Sequence, residues 1–215
     1  MHTGTYFVTG TDTGVGKTHV ACTLLKSAQQ AGYSTAAFKP LAAGGEATPS
    51  GMQNEDALRL QQACTLSLSY EEINPLCLQQ AIAPHLAAQL EGITLSVKEL
   101  GRLCLEATAR EVDFMLIEGA GGWKVPLNES ETMADLVRVL NIPVILVVGM
   151  RLGCINHALL SAAAIKEDGL KLYGWIANQL DPAMPAYREN ITTLEHMIDA
   201  PMLAEIGWEH GPQSA

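Results

Sequence analysis

Positive charge is scarce in this sequence: 13 Lys and Arg stand against 23 Asp and Glu, for a formal net charge of −10 over 215 residues. Proteins that grip nucleic acid neutralise phosphates with clustered Lys and Arg. No such cluster or basic tail is present, so no nucleic-acid partner is expected. Long apolar runs are missing as well. The longest, residues 143–150, falls far short of the roughly 20 residues that cross a bilayer, so no membrane partner is expected. Met1-His2-Thr3-Gly4-Thr5 lacks a basic segment leading into an apolar core, which argues against a signal peptide. The five cysteines (Cys22, Cys64, Cys77, Cys104, Cys154) are odd in number and share no CxxC spacing. They are read as buried free thiols of a cytoplasmic protein, neither a disulfide framework nor a metal cage.

What the sequence has in quantity is apolar residues, 48% of the total, enough for one sizeable core. One domain spanning residues 1–215 is expected, with no repeat and no linker. Short β-rich runs alternate with longer helical ones, which indicates an α/β fold of three layers, a mainly parallel central sheet with helices on both faces. Strands are expected at residues 5–9, 35–39, 113–118, 144–148, 172–177 and 202–206, and helices at 17–31, 54–62, 97–110, 133–139, 155–167 and 187–198. The runs 114–117 and 144–148 are continuously apolar, as strands buried on both faces are. In such sheets ligands gather outside the carboxyl ends of the strands. Those ends carry the notable polar residues: the 10–18 loop, Lys39, Glu118 and Asn178.

Gly10-Thr11-Asp12-Thr13-Gly14-Val15-Gly16-Lys17-Thr18 follows a strand and opens a helix, the setting a phosphate-binding loop requires. Glycines let backbone N–H groups face phosphate oxygens, and the helix N-terminus adds further donors and a favourable dipole. Lys17 can reach the outer phosphates of a nucleoside triphosphate, most naturally ATP, and the Thr18 hydroxyl can ligate Mg2+. Five residues separate Gly10 from Gly16, against the usual four. A hard cation needs oxygen ligands. Glu118, ending an apolar strand before Gly119-Ala120-Gly121-Gly122, and Asp56, where a helix begins, are the candidates to join Thr18 as metal ligands. Asp56 also reads as first-turn compensation of the helix dipole. Lys39 ends the second strand, where it can hold an anionic reactant and offset developing charge.

Together these segments resemble the dethiobiotin synthetases, ATP-dependent enzymes that close the ureido ring in biotin synthesis. The resemblance spans nearly the whole chain. It is carried by Tyr6-Phe7-Val8-Thr9-Gly10-Thr11-Asp12-Thr13 with Val15-Gly16-Lys17-Thr18, by Phe38-Lys39-Pro40 and by Asn54-Glu55-Asp56-Ala57. Further carriers are Glu118-Gly119-Ala120-Gly121-Gly122-Trp123 and Leu152-Gly153-Cys154-Ile155-Asn156-His157. The five-residue loop spacing is similar to that family's own variant. The resemblance implies a P-loop NTPase fold and a ligase reaction in which one amine of 7,8-diaminononanoate captures CO2 as a carbamate. ATP phosphorylates the carbamate to a mixed anhydride, which the neighbouring amine closes to dethiobiotin.

By the same resemblance, Lys17 and Lys39 are catalytic. Thr13, Gly14, Val15, Gly16, Lys17, Thr18, His19, Asp56, Glu118, Gly119, Ala120 and Gly121 surround the nucleotide phosphates and Mg2+, while Asn178, Gln179, Gly207, Trp208 and Glu209 flank the adenine. Lys39 and Ala43 face the substrate, and a homodimer is implied in which Gly153, Cys154, Ile155 and Asn156 of one protomer receive the substrate carboxylate of the other. The sequence departs from the family pattern at Gly14, where a member carries an acid, and at Ala43, where the family can offer a hydroxyl. It departs again at Arg151 in place of lysine, Asn190 in place of tyrosine and Gly207 in place of proline. None of these touches Lys17, Thr18, Lys39, Asp56 or Glu118. The alternatives are a partition-type switch ATPase, whose extra loop lysine is missing here, and a paralogue acting on another amine.

Overall fold

The computed structural model describes residues 2–208. In chain order the elements are β1 (Gly4–Gly10), α1 (Lys17–Gln30), β2 (Thr35–Phe38), β3 (Ala42–Ala43), β4 (Glu46–Thr48), β5 (Gly51–Gln53), α2 (Glu55–Gln62), α3 (Tyr70–Ile73) and β6 (Cys77–Leu78). They continue with α4 (Pro84–Leu90), α5 (Val97–Thr108), β7 (Phe114–Gly122), α6 (Met133–Leu140), β8 (Val144–Met150), α7 (Cys154–Glu167), β9 (Leu172–Gln179), α8 (Tyr187–Met197) and β10 (Met202–Ile206).

Six strands form one sheet in the order β10-β9-β8-β1-β7-β2, and every pairing in it is parallel. Successive side chains of a strand point to opposite faces, and here both faces are dry. Phe7, Leu146, Val148, Ile117 and Trp175 join a core on one face, while Tyr6, Val8, Ile145, Val147 and Leu116 join a second core on the other. The first core is closed by α5, α6 and α7, the second by α1 and α2. This is why the central strands read as unbroken apolar runs.

All six expected strands and all six expected helices are present, with shifted ends. β7 continues past Glu118 to Gly122, because the bare backbone there pairs with β1 (Gly10 opposite Gly122). β8 and β9 likewise extend to Met150 and Gln179, while β2 stops at Phe38, one residue before Lys39. The sequence did not foresee α3, α4, the parallel pair β3–β6 or the β4–β5 hairpin. All five cysteines are free; Cys104 and Cys154 are buried as expected, whereas Cys22, Cys64 and Cys77 are only half-buried. Burial pushes the Cys104 thiol up to about 12. Among the described residues no helix is long and apolar enough to cross a membrane.

Candidate functional site

Between the end of β1 and the start of α1 the chain reverses within six residues, 11–16. Gly10 makes the close approach possible, since a β-carbon there would lie 2.5 Å from Val15 Cγ2. Gly14 (φ 70°) and Gly16 (φ 81°) take the left-handed conformation that other residues enter at a cost. The space around Gly14 is open, so backbone geometry, not crowding, suits glycine to that position. The loop is tied at two points. Asp12 Oδ1 accepts the Thr13 N–H (2.8 Å) while Asp12 Oδ2 pairs with Arg151 (2.6 Å). From the other side, Asn178 donates its amide to the Val15 carbonyl (2.8 Å).

Beneath the loop lies a buried charge cluster. Glu118, only 1% exposed, accepts from the Thr18 hydroxyl (2.9 Å) and pairs with Lys39 Nζ (2.5 Å), both through Oε1. Its Oε2 is buried without a hydrogen-bond partner among the described residues. Lys39 Nζ also lies 3.8 Å from Asp56 Oδ2. Burial disfavours the Lys39 ammonium, but the charges of Glu118 and Asp56 more than offset it, so Lys39 titrates above an ordinary lysine. Lys17 goes the other way. Burial outweighs the attraction of Glu118, Lys39 adds repulsion, and its pKa is brought down to about 8.

A cleft of about 690 Å³ opens over this cluster. Of the sequence-predicted residues, Thr13, Gly14, Gly16, Lys17, Thr18 and His19 line its loop side. Lys39, Ala43 and Asp56 line the opposite side, and Ala120 and Gly121 the rim of β7. Val15 and Gly119 are not on the cleft wall. Val15 is buried under the loop, and a β-carbon on Gly119 would lie 2.8 Å from the Phe7 ring, so that glycine serves packing.

Two predicted groups lie off the wall of this cleft. Asn178 and Gln179 end β9, where the Gln179 side chain accepts the Trp208 N–H (3.2 Å) and Gly207 is exposed. Asn178 is fully buried, and its Oδ1 has no hydrogen-bond partner among the described residues. Gly153, Cys154, Ile155 and Asn156 form the start of α7 beside Leu152, which is 95% exposed. Glu209 lies outside the described residues.

Sequence reasoning missed the network that fixes the cleft's second side. Asn54 caps α2 by accepting the Ala57 N–H (3.3 Å), and its amide donates to the carbonyls of Ala43 (3.3 Å) and Gly44 (3.4 Å). The Asn54 N–H donates to the Tyr70 hydroxyl (2.8 Å), which donates to Asn74 Oδ1 (2.8 Å), and Asn74 donates to the Lys39 carbonyl (2.7 Å). One chain of bonds thus connects Lys39, Ala43 and the helix that carries Asp56. Arg59 and the 81–84 wall were also missed. Asn54 had a legible signal, as a capping residue before a helix; Tyr70 and Asn74 had none. Trp123, which carries part of the family resemblance, is buried and donates its indole N–H to Asp168 (2.7 Å).

The donor set suits a small hard cation. Among the described residues no three His, Cys, Asp or Glu side chains form a closed metal cage. Mg2+ needs none, since it keeps waters and substrate phosphates in its shell. Thr18, Asp56 and the unpartnered oxygen of Glu118 offer the few ligands such an ion takes from protein.

A parallel sheet, a glycine-rich turn into a helix and a carboxylate at the end of a neighbouring strand define a P-loop nucleoside-triphosphate-binding domain. Solved structures agree on the fold. A ParA family ATPase from Chlorobium tepidum matches with a TM-score of 0.56 at 13% identity, over 97% of this chain and 85% of that one. Chloroplast FtsY from Physcomitrella patens gives 0.54 at 16%, over 97% and 60%. A family model described as an AAA domain matches residues 4–213. The ATP-dependent dethiobiotin synthetase of Pseudomonas paraeruginosa is 55% identical over 201 residues, 94% of this chain and 88% of that protein. That of Escherichia coli is 48% identical over 213 residues, 98% and 93%. The chain belongs to the ATP-dependent dethiobiotin synthetase family. It is an ATP-binding ligase of biotin biosynthesis.

Proposed function

We propose that this protein carboxylates and closes 7,8-diaminononanoate to dethiobiotin, using CO2 and ATP. The observation that carries the reading is the charge cluster in which Lys17, Thr18, Lys39 and Asp56 line one cleft and the buried Glu118 binds Thr18 and Lys39 beneath it, set in a chain whose relatives are named for this reaction. Both reactants are anions, a carbamate and a triphosphate, and they must meet without repulsion. The Lys39 ammonium, held charged by its two carboxylate neighbours, faces the carbamate. Lys17 faces the outer phosphates.

A carbamate oxygen attacks the γ-phosphorus and ADP leaves. The second amine then attacks the carbamoyl carbon, and orthophosphate leaves as the ring closes. Because the two amines belong to one bound molecule, the closure is effectively intramolecular. Mg2+ held by Thr18, Asp56 and Glu118 would supply charge neutralisation of the phosphates. Asn178 and Gln179, with Gly207 and Trp208, would take the adenine, and the start of α7 would receive the substrate carboxylate across a homodimer. Backbone donors at a helix N-terminus suit that task.

The test is phosphate release with ATP, Mg2+ and bicarbonate, with and without the diamine. Release is expected only with the diamine, together with dethiobiotin by mass. Release that ignores the diamine would assign the protein to the switch ATPases. Turnover with a different amine, and none with this one, would make it a paralogue.

A further inference from the structure

Two basic side chains of the cleft have no stated role in the reaction above: Arg59, and the side chain of His19, a residue that the family resemblance sets near the nucleotide phosphates. Arg59 lies on α2 three residues after Asp56, and His19 lies on α1 just after Thr18; both line the cleft. Residues three apart share a helix face, so Asp56 and Arg59 look out from one face of α2, and His19 and Cys22 from one face of α1. The two faces meet, because Cys22 Sγ contacts the Arg59 carbonyl at 3.5 Å. His19 and Arg59 therefore flank the same groove between α1 and α2, one turn from Asp56.

Neither side chain is used internally. Among the described residues Arg59 has no ion pair and no side-chain hydrogen bond, although Asp56 is one turn away and Glu72, the acid that bonds Arg110, is on the neighbouring α3. Asp56 is turned to Lys39 instead. The His19 Nε2 is buried and has no hydrogen-bond partner. Arg59, half-buried and without a carboxylate partner, and His19, with a ring nitrogen that has no partner, both line the cleft and together make a donor set suited to an oxyanion. Both residues line the cleft with Asp56 and Lys39, whereas Asn178 does not; on the nucleotide reading of the cleft this is the side of the outer phosphates.

We propose that Arg59, with His19, forms a second phosphate-holding pair, distinct from Lys17 and Lys39, for the terminal phosphate. The proposal rests on the nucleotide reading of the cleft. One chemistry has two sources here: the γ-phosphoryl group before transfer, or the orthophosphate that leaves after it. A planar guanidinium holds either through paired N–H donors.

Direct binding separates the sources and does not depend on turnover of the diamine. Calorimetry in magnesium-containing buffer would compare the wild type with Arg59→Gln, His19→Gln and Arg59→Lys. The ligands are a non-hydrolysable ATP analogue, ADP, and inorganic phosphate added to the ADP-saturated protein. If the pair holds the γ-phosphoryl group, Arg59→Gln weakens the analogue at least fivefold, leaves ADP within twofold, and Arg59→Lys recovers part of the loss. If it holds the leaving group, only inorganic phosphate binding weakens. Unchanged binding of all three ligands, or equal weakening of the analogue and ADP, would overturn the proposal. Failure to form dethiobiotin with all these affinities moving as stated would count against the reaction and not against the pair.

Discussion

Lys17 and Lys39 show how one residue type is set to two protonation behaviours within one cleft. Lys39 is held charged by two carboxylates, while Lys17, with burial prevailing over Glu118, titrates near 8. The unfolded chain therefore binds more protons at Lys17 between about pH 8 and about 10.5. The cost of holding that buried charge is full below pH 8 and is relieved as pH rises through this window. A triphosphate reverses the balance by favouring the charged lysine. Binding of an ATP analogue is thus expected to take up a proton and to weaken above about pH 8, approaching tenfold per pH unit. Calorimetry in two buffers of different ionisation enthalpy reads both effects. A flat affinity from neutral to alkaline pH would remove Lys17 from the phosphate grip.

At the scale of elements, α2 and the loop after β2 are fixed by polar bonds as well as by apolar burial. The relay from Asn54 through Tyr70 and Asn74 to the Lys39 backbone joins the two sides of the charge cluster. Removing the hydroxyl in Tyr70→Phe leaves a buried N–H and a buried carbonyl oxygen unpaired, at a cost of about 1–3 kcal/mol in stability. We expect kcat to fall on the order of tenfold through misplacement of Lys39, with affinity for ATP nearly unchanged because the 10–18 loop is untouched. Denaturant unfolding and a split of kcat from KM check this; a loss confined to stability would reduce the relay to scaffolding.

This is also where the sequence was hardest to read. The long elements were legible because their apolar residues repeat at strand or helix spacing over many positions, as in residues 144–148 and 17–30. The short ones were not. β3 and β6 are two residues each and α3 is four, too few for any period to show. β7 outran its apolar run because pairing with β1 needs only backbone, which Gly119 to Gly122 supply. At the site, Lys17, Thr18, Lys39, Asp56 and Glu118 were legible from their places at strand ends and helix starts. Arg59 was not, because its position depends on how α2 leans on α1. The packing of Gly119 against Phe7 and of Val15 against Gly149 was also not legible, because it is made across the fold between residues distant in sequence.

For the molecule as a whole, α7 leaves large apolar side chains uncovered at its start and along its length. Leu160 on α7 is 62% exposed and Leu152, just before it, 95%; the start of that helix carries the residues proposed to serve a neighbouring protomer. Large apolar side chains gathered in this way mark a surface that a partner covers. Leu160→Glu is expected to shift the proposed homodimer to monomer in light scattering, to lose most dethiobiotin formation and to keep binding of the ATP analogue. A variant that stays dimeric, or a monomer with full activity, would contradict the shared site.

Asn178 has a consequence for which nucleobase the proposed adenine site would accept. Its amide is not free to turn over, because the nitrogen end is committed to the Val15 carbonyl (2.8 Å). Only a bare oxygen remains to be offered, and an oxygen welcomes a partner that brings a hydrogen. In the proposed complex the exocyclic amine of adenine brings one; the carbonyl at the same place on guanine would set two lone pairs against each other in a dry site. In that proposed complex the bond that steadies the phosphate loop would also fix the polarity of the base-reading group, so letter discrimination and loop rigidity would rest on a single side chain.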